Sequence, residues 1–244
     1  MLEINKIYLG DCLELMKELP DKCIDAIICD LPYGTTACSW DIVIPFDKLW
    51  EQYKRIRKDN TPIILFAQQP FTSKLVMSNL KEYRHQWVWN KNNSAGFATA
   101  NIRPFAICED ILVFGKNKVN YYPIMTRGIY RNKGGYSSSD NYGLQPCVGK
   151  KNYEYYPKNL LNFSNANQNN KIHPTQKPVT LIEYLIKTYS NEGDLILDNC
   201  SGSGSLAIAA YNTHRNFICI EKDEEYYKKS VERLEQVQMQ LRLF

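Results

Sequence analysis

Leu195-Ile196-Leu197-Asp198-Asn199-Cys200-Ser201-Gly202-Ser203-Gly204-Ser205 is the stretch that decides the fold. A short apolar run ends in a carboxylate, and two glycines then open a turn from which a helix can start. That is the pattern of a buried strand emptying into a helix through a loop where a ligand can approach bare backbone. A strand is expected over residues 194–198 and a helix from about Ser203. A second strand, residues 216–221, ends in Glu221, where a carboxylate can accept both ribose hydroxyls of an adenosine. No Gly-Lys-Ser/Thr closes the loop, which counts against a P-loop, and the third glycine of a dinucleotide fingerprint is missing. A nucleoside without phosphates fits better, although two glycines and two acids also suit ordinary strand-to-helix turns.

Working outward, Ile24 to Cys29 is a second apolar run, closed by Asp30-Leu31-Pro32-Tyr33-Gly34. Further strands are expected at residues 62–66, 86–90 and 107–114, with helices at 47–57 and 70–80. Pro178 opens a helix in which Leu181, Tyr184, Leu185 and Thr188 recur at helical spacing. Asp223 caps a last helix with Tyr227, Val231 and Leu234 on one face. Strands alternating with helices predict an α/β fold, a doubly wound and mostly parallel sheet that places ligands beyond the carboxyl ends of its strands.

Residues 115–170 break the alternation. They are rich in Gly, Asn, Ser, Lys and Tyr and read as a loop-rich insertion, dividing the chain into 1–114, 115–170 and 171–244. The segment holds Lys116, Lys118, Arg127, Arg131, Lys133, Lys150, Lys151 and Lys158 against only Asp140 and Glu154, while the whole chain carries +4. Tyr121, Tyr122, Tyr130, Tyr136, Tyr142, Tyr153, Tyr155, Tyr156 and Phe163 are interleaved with these charges. Such a mixture can hold phosphates and meet bases, so the segment is expected to recognise nucleic acid.

The totals exclude other classes. At 244 residues and 44% hydrophobic content the chain can bury a substantial core. Its eight cysteines stand singly, without metal-ligand or redox spacing, so free thiols and no metal site are expected. The absence of an 18-residue apolar run and of a signal-peptide layout predicts a soluble, cytoplasmic protein without a membrane partner.

The Asp30 to Tyr33 turn would hold a carboxylate and a phenol ring on a stiff loop at the sheet's carboxyl edge. Exocyclic amines of bases are poor nucleophiles because their lone pair is delocalised into the ring. Acceptance of both N–H groups, by Asp30 and by a backbone carbonyl near Leu31 or Pro32, would favour a pyramidal, nucleophilic nitrogen. Tyr33 could then stack on the base.

These residues resemble a known family. Asp30-Leu31-Pro32-Tyr33 is similar to the catalytic motif of the S-adenosylmethionine-dependent amino-methyltransferases acting on DNA, and Asp198 to Ser205 resembles their cofactor loop. His173-Pro174-Thr175-Gln176-Lys177-Pro178 is similar to the segment that adjoins the cofactor's methionine portion. The catalytic motif precedes the cofactor motifs, the order of the β class. The resemblance implies a Rossmann-like methyltransferase fold with permuted motif order and a target-recognition insertion. It implies cofactor contacts at Asp11 and Cys12 to the adenine, at His173, Thr175 and Lys177, along Asp198, Asn199, Cys200, Ser201, Gly202, Ser203, Gly204 and Ser205, and at Glu221 and Lys222. Asp30, Leu31, Pro32 and Tyr33 would be catalytic. Leu31 stands where proline is commoner, and Asn199-Cys200 replaces the usual Pro-Phe.

The expected reaction is methyl transfer from S-adenosylmethionine to the N6 amino group of adenine, with the nucleotide flipped out of double-stranded DNA. The alternatives are transfer to the N4 amino group of cytosine and, from a different class, an inactive DNA-binding protein. A homodimer and a cognate restriction nuclease are kept as candidate partners beside DNA.

Overall fold

The computed structural model describes residues 2–36, 38, 41–95, 100–132, 135–139, 141, 143–147, 151–165, 172–173 and 176–241. In chain order the elements are β1 (Lys6–Leu9), α1 (Cys12–Lys17), β2 (Ala26–Cys29), α2 (Phe46–Ile56), β3 (Ile63–Ala67), α3 (Phe71–Ser78), β4 (Tyr83–Ala95) and β5 (Ala106–Phe114). Next come β6 (Thr126–Asn132), β7 (Gly135–Ser139), β8 (Gly143–Cys147), β9 (Lys151–Tyr155) and β10 (Leu160–Asn162). The chain closes with α4 (Val179–Tyr189), β11 (Leu195–Asp198), α5 (Ser205–Asn212), β12 (Asn216–Glu221) and α6 (Glu224–Leu241).

Eight strands form one sheet in the order β1-β12-β11-β2-β3-β5-β4-β10. All neighbours are parallel except those of β5, which runs antiparallel to both β3 and β4. Strands β2 and β3, at the middle of the sheet, are apolar throughout because both faces are covered, as a sheet between two helical layers requires. Along β2, Ala26 and Ile28 join Ile64, Phe66, Ile196 and Phe217 in the core beneath α4, α5 and α6. Ile27 and Cys29 point the other way, joining Ile63, Leu65, Leu197 and Ile218 beneath α1, α2 and α3. Full burial of a side chain of this size contributes roughly 1.5–3 kcal/mol, so these two layers dominate the stability.

β2 and β11 are neighbours, with Ile196 opposite Ala26 and Leu197 opposite Ile27. From β2 the chain passes through α2 to β3 on one side; from β11 it passes through α5 to β12 on the other. The connections therefore diverge between the two carboxyl ends and leave a crevice there, the switch point at which open α/β sheets bind ligands.

A separate compact unit comprises residues 123–158, and the remaining chain forms the other. The insertion is therefore narrower than residues 115–170. On one side of it, Val119 enters the core and the Tyr122 amide donates to the Thr188 carbonyl at 2.7 Å. On the other, β10 extends the sheet beside β4, with Leu161 buried and Phe163 packed against the core. Polar composition hid this docking, which rests on a few apolar side chains and backbone hydrogen bonds. Within the small unit, β6 pairs with β9 and β7 with β8, both antiparallel. Arg127 lies over the Tyr153 ring at 5.6 Å, Tyr130 packs on Tyr153, and Ile129 and Tyr156 are exposed.

Candidate active site

The crevice opens into a cavity of about 770 Å³ lined from both ends of the chain. Asp30, Leu31, Pro32 and Tyr33 border it, and so do Asp198, Asn199, Cys200, Ser201, Gly202, Ser203 and Ser205. Asp11, Cys12, His173, Lys177, Glu221 and Lys222 complete the set that the sequence placed in one site. Thr175 lies outside the described residues. Gly204 is the exception among those described: it is not part of the cavity wall, and a Cβ there would meet the Ser230 Cβ of α6 at 3.0 Å. Its φ of +70° and this close approach give it a packing reason to be glycine.

The wall after β11 is built by backbone. The Cys200 amide donates to Asp198 Oδ1 at 3.1 Å, and the Gly202 amide to Glu221 Oε2 at 2.6 Å. The Asp223 amide donates to the other Glu221 oxygen at 2.8 Å, and Asp223 in turn caps α6 through the Glu225 and Tyr226 amides. Gly202 adopts φ +51°, which lets this turn pass under the His173 ring. Arg233 reaches in from α6 to the Ser203 carbonyl and Ser205 Oγ, so these serines are held internally. Asn199, the departure from the family pattern, accepts from Tyr53 Oη of α2 at 2.5 Å and is fully buried. Burial pushes the Asp198 carboxyl up to about 7. Asp11 caps α1 by accepting from the Leu13 amide at 2.9 Å, and Lys222 lies 3.4 Å from its other oxygen.

The wall after β2 is built by charges. Tyr33 Oη donates to Asp30 Oδ1 at 2.7 Å, and one ring face packs on Phe71 with centroids 4.9 Å apart. Lys177 Nζ donates to Asp30 Oδ2 at 2.5 Å and lies 3.4 Å from Glu109 Oε2. Lys91 Nζ donates to the other Glu109 oxygen at 3.1 Å. Lys177, expected to contact the cofactor, ion-pairs with Asp30 and Glu109. Burial raises the Asp30 carboxyl above its ordinary range against the pull of Lys177. Burial also raises Glu109, but Lys177 and Lys91 outweigh it and hold that carboxyl low.

Lys91 and Glu109 also line the cavity and were not singled out in the sequence. On adjacent strands a lysine and a glutamate look like solvated charges; only the register, with Trp89 opposite Glu109, brings them together. Trp87 and Trp89 are core residues, and Arg103 is exposed. Asp41 was also missed: it accepts from the Gly34, Thr35 and Thr36 amides and pins the loop that follows Tyr33.

A sheet with its cavity at the switch point, acids at the ends of β11 and β12, and an acid and a phenol after β2 defines an α/β enzyme of the nucleoside-cofactor class. The chain belongs to the N6/N4 DNA methylase family, whose model, described as DNA methylase, matches residues 24–232. Among curated relatives, type II methyltransferase M1.MboII of Moraxella bovis is 26% identical, covering 94% of this chain and 96% of its own length. Type II methyltransferase M.HpaI of Haemophilus parainfluenzae is 29% identical, over 95% of this chain and 74% of its own. The DNA adenine methyltransferase YhdJ of Escherichia coli is 27% identical, over 96% and 83%. Among solved structures, the M1.HpyAVI–SAM complex superposes with TM-score 0.65 at 25% identity, covering 94% of this chain and 98% of that one. The cytosine-N4-specific PvuII DNA methyltransferase gives 0.70 at 16% identity, over 96% and 90%, a likeness of fold. The family depends on S-adenosylmethionine.

The residues present fit that cofactor. The Glu221 carboxylate lines the cavity and is fixed by two amides, one on each oxygen, which leaves each oxygen a further lone pair. Ser201 Oγ is buried in the same wall and has no hydrogen-bond partner among the described residues, a polar atom that a bound molecule can satisfy.

Proposed function

We propose that this protein methylates the N6 amino group of adenine at a specific sequence in DNA. The observation that carries the reading is the convergence of Asp30 and Tyr33 with the Gly202 turn and Glu221 on one cavity at the β2/β11 switch point. Glu221 would hold the ribose of the cofactor, Asp11 and the Cys12 amide its adenine, and His173, Asp198 and Ser201 its methionine portion. S-adenosylmethionine supplies a methyl group on a positively charged sulfur when bound.

The protein's part is mainly placement, which lowers a barrier by ~7 to 11 kcal/mol when the reactants are well oriented. Asp30 accepts one N–H of the exocyclic amine and the Leu31 carbonyl accepts the other, favouring a pyramidal nitrogen. Tyr33 stacks on the base. The amine must leave the duplex to reach them, at a cost of a few kcal/mol. The exposed Arg127, Ile129 and Tyr156 of the 123–158 unit are suited to phosphate and base contacts that repay it, which supports target recognition there. Asp at position 30 favours adenine, because serine is commoner there in the cytosine enzymes; the adenine activity in the name of the Escherichia coli relative agrees.

The test is direct. DNA from cells expressing the protein, digested to nucleosides and resolved by mass spectrometry, should contain N6-methyladenine. N4-methylcytosine instead would overturn the choice of base, and no methylated base on DNA of mixed sequence would overturn the reaction.

A further inference from the structure

We propose that Lys177, anchored by Glu109 and Lys91, is a positioning residue that aims the Asp30 carboxylate at the target amine. The inference rests on the reading of Asp30 above and assigns roles to three residues beyond it.

Four charges alternate along this wall: Asp30, Lys177, Glu109 and Lys91. Their side chains are 23%, 8%, 14% and 7% exposed, so both lysines are buried and Glu109 is mostly covered. They come from four separated places: the turn after β2, the segment before α4, β5 and β4. Each buried ion costs several kcal/mol in desolvation, and apolar side chains of similar volume would fill the space as stably. The arrangement therefore does more than hold the fold together.

Its geometry points to Asp30. Lys177 is shared unequally, at 2.5 Å from Asp30 and 3.4 Å from Glu109, whose Oε2 has no hydrogen bond among the described residues. Glu109 thus restrains the ammonium without claiming it, and Lys91 restrains Glu109. Asp30 has one oxygen fixed by Tyr33 and the other by Lys177, and each keeps a lone pair for an N–H of the base. The direction of those lone pairs is set before any substrate arrives.

The same contact governs charge. Burial and the Glu109 carboxylate both favour a protonated Asp30; Lys177 opposes them, as does the Tyr33 hydroxyl. Asp198 and Cys29 also interact with it among the described residues, and Lys91 stands behind Glu109. A protonated Asp30 would put its own hydrogen where Tyr33, Lys177 or the amine N–H must donate, and could no longer accept from all three.

The experiment is steady-state methyl transfer from tritiated cofactor to DNA, as kcat against pH, for the wild type, K177M, K177R and E109Q. Calorimetry measures cofactor affinity alongside. Methionine keeps the volume of lysine and removes the charge. K177M should lose about tenfold or more in kcat at neutral pH and regain it as pH rises, its ascending limb displaced upward by about one unit or more. Its cofactor affinity should stay within about twofold of the wild type, which a positioning role implies. K177R should keep the limb in place. E109Q removes a like charge near Asp30, so kcat should fall without any upward displacement.

Cofactor binding weakened tenfold in K177M with the limb unmoved would assign Lys177 to the cofactor's carboxylate and overturn the proposal. An equal loss at every pH with a lowered melting temperature would reduce the network to a structural role and also overturn it. Should K177M fail to fold, E109Q decides, since unchanged kcat there removes the anchor from the argument. An inactive wild type would sink the proposed function itself, whereas an active wild type with unmoved limbs sinks only this inference.

Discussion

On one side of the cleft, the amides of Cys200 and Gly202 hold the carboxylates of Asp198 and Glu221. On the other, two buried lysines hold those of Asp30 and Glu109. The carboxylates of the first wall are held by amides 2 and 19 residues away in sequence, supplied by the turn after β11 itself. The second needs contacts across the chain, the Lys177–Asp30 pair joining residues 147 apart. A backbone-built wall suits a constant cofactor. A wall of paired charges presents an acceptor whose direction and protonation can be set, which suits an amine that must be activated.

If the walls are separable in this way, Asp30→Ala gives the largest effect. Methyl transfer should fall by about a thousandfold or more, the scale of losing a directional acceptor at the reacting atom. Cofactor affinity, measured by calorimetry, should change little. Turnover retained in this variant would remove Asp30 from the chemistry and the contrast with it. Tyr33→Ala comes next. A loss of about ten- to a hundredfold in rate is expected, together with a reduced 2-aminopurine fluorescence change on DNA binding, because the ring that receives the base is gone. A large fall in cofactor affinity instead would mean that the two walls share this ring.

How much of this was legible follows the same division. The turn from Asp198 to Ser205, the strand ending at Glu221 and the Asp223 cap are local patterns, and each stands where residue spacing placed it. β1 was missed because its four residues bury only Ile7, which gives no periodicity to read. The antiparallel run of β5 was not legible, since an apolar stretch reports burial and carries no information on direction. Lys91 and Glu109 escaped because charge pairing through register is a property of the assembled sheet. Gly204, expected as a ligand contact, is ambiguous for a related reason: a glycine needed for φ and helix packing looks the same in sequence as one needed for a ligand.

That ambiguity yields a smaller, sharper test inside the backbone-built wall. Gly204→Ala places a Cβ 3.0 Å from Ser230 in a left-handed conformation, so it should destabilise the fold by about 1–3 kcal/mol. Scanning calorimetry would show it as a drop of several degrees in Tm. Gly202→Ala meets nothing closer than 3.7 Å and bears only the cost of its φ of +51°. It should lose about 1 kcal/mol or less in stability and more in cofactor affinity. The reverse ranking would put Gly204 back among the ligand contacts.

The smallest expected effect is one of pH. Burial pushes the Asp198 carboxyl up to about 7 from an ordinary 3.8. The folded protein therefore binds this proton more tightly than the unfolded chain does between those values. Stability from this group is present at low pH and is lost as pH rises through about 7. Asp30 and Glu221 are raised by burial as well and act in the same sense, while Asp41, Glu82 and Glu109, held low, titrate below this window. Asp198→Asn isolates the one contribution, because the amide oxygen can still accept from the Cys200 amide while the charge is gone. Without cofactor, the wild-type Tm should match that of the variant below about pH 3.8, drop away from it as pH rises beyond that value, and lie a few degrees under it by about pH 7. Parallel curves would mean that Asp198 carries no buried charge. The wall after β11 would then depend on its backbone alone, sharpening its contrast with the four charges opposite.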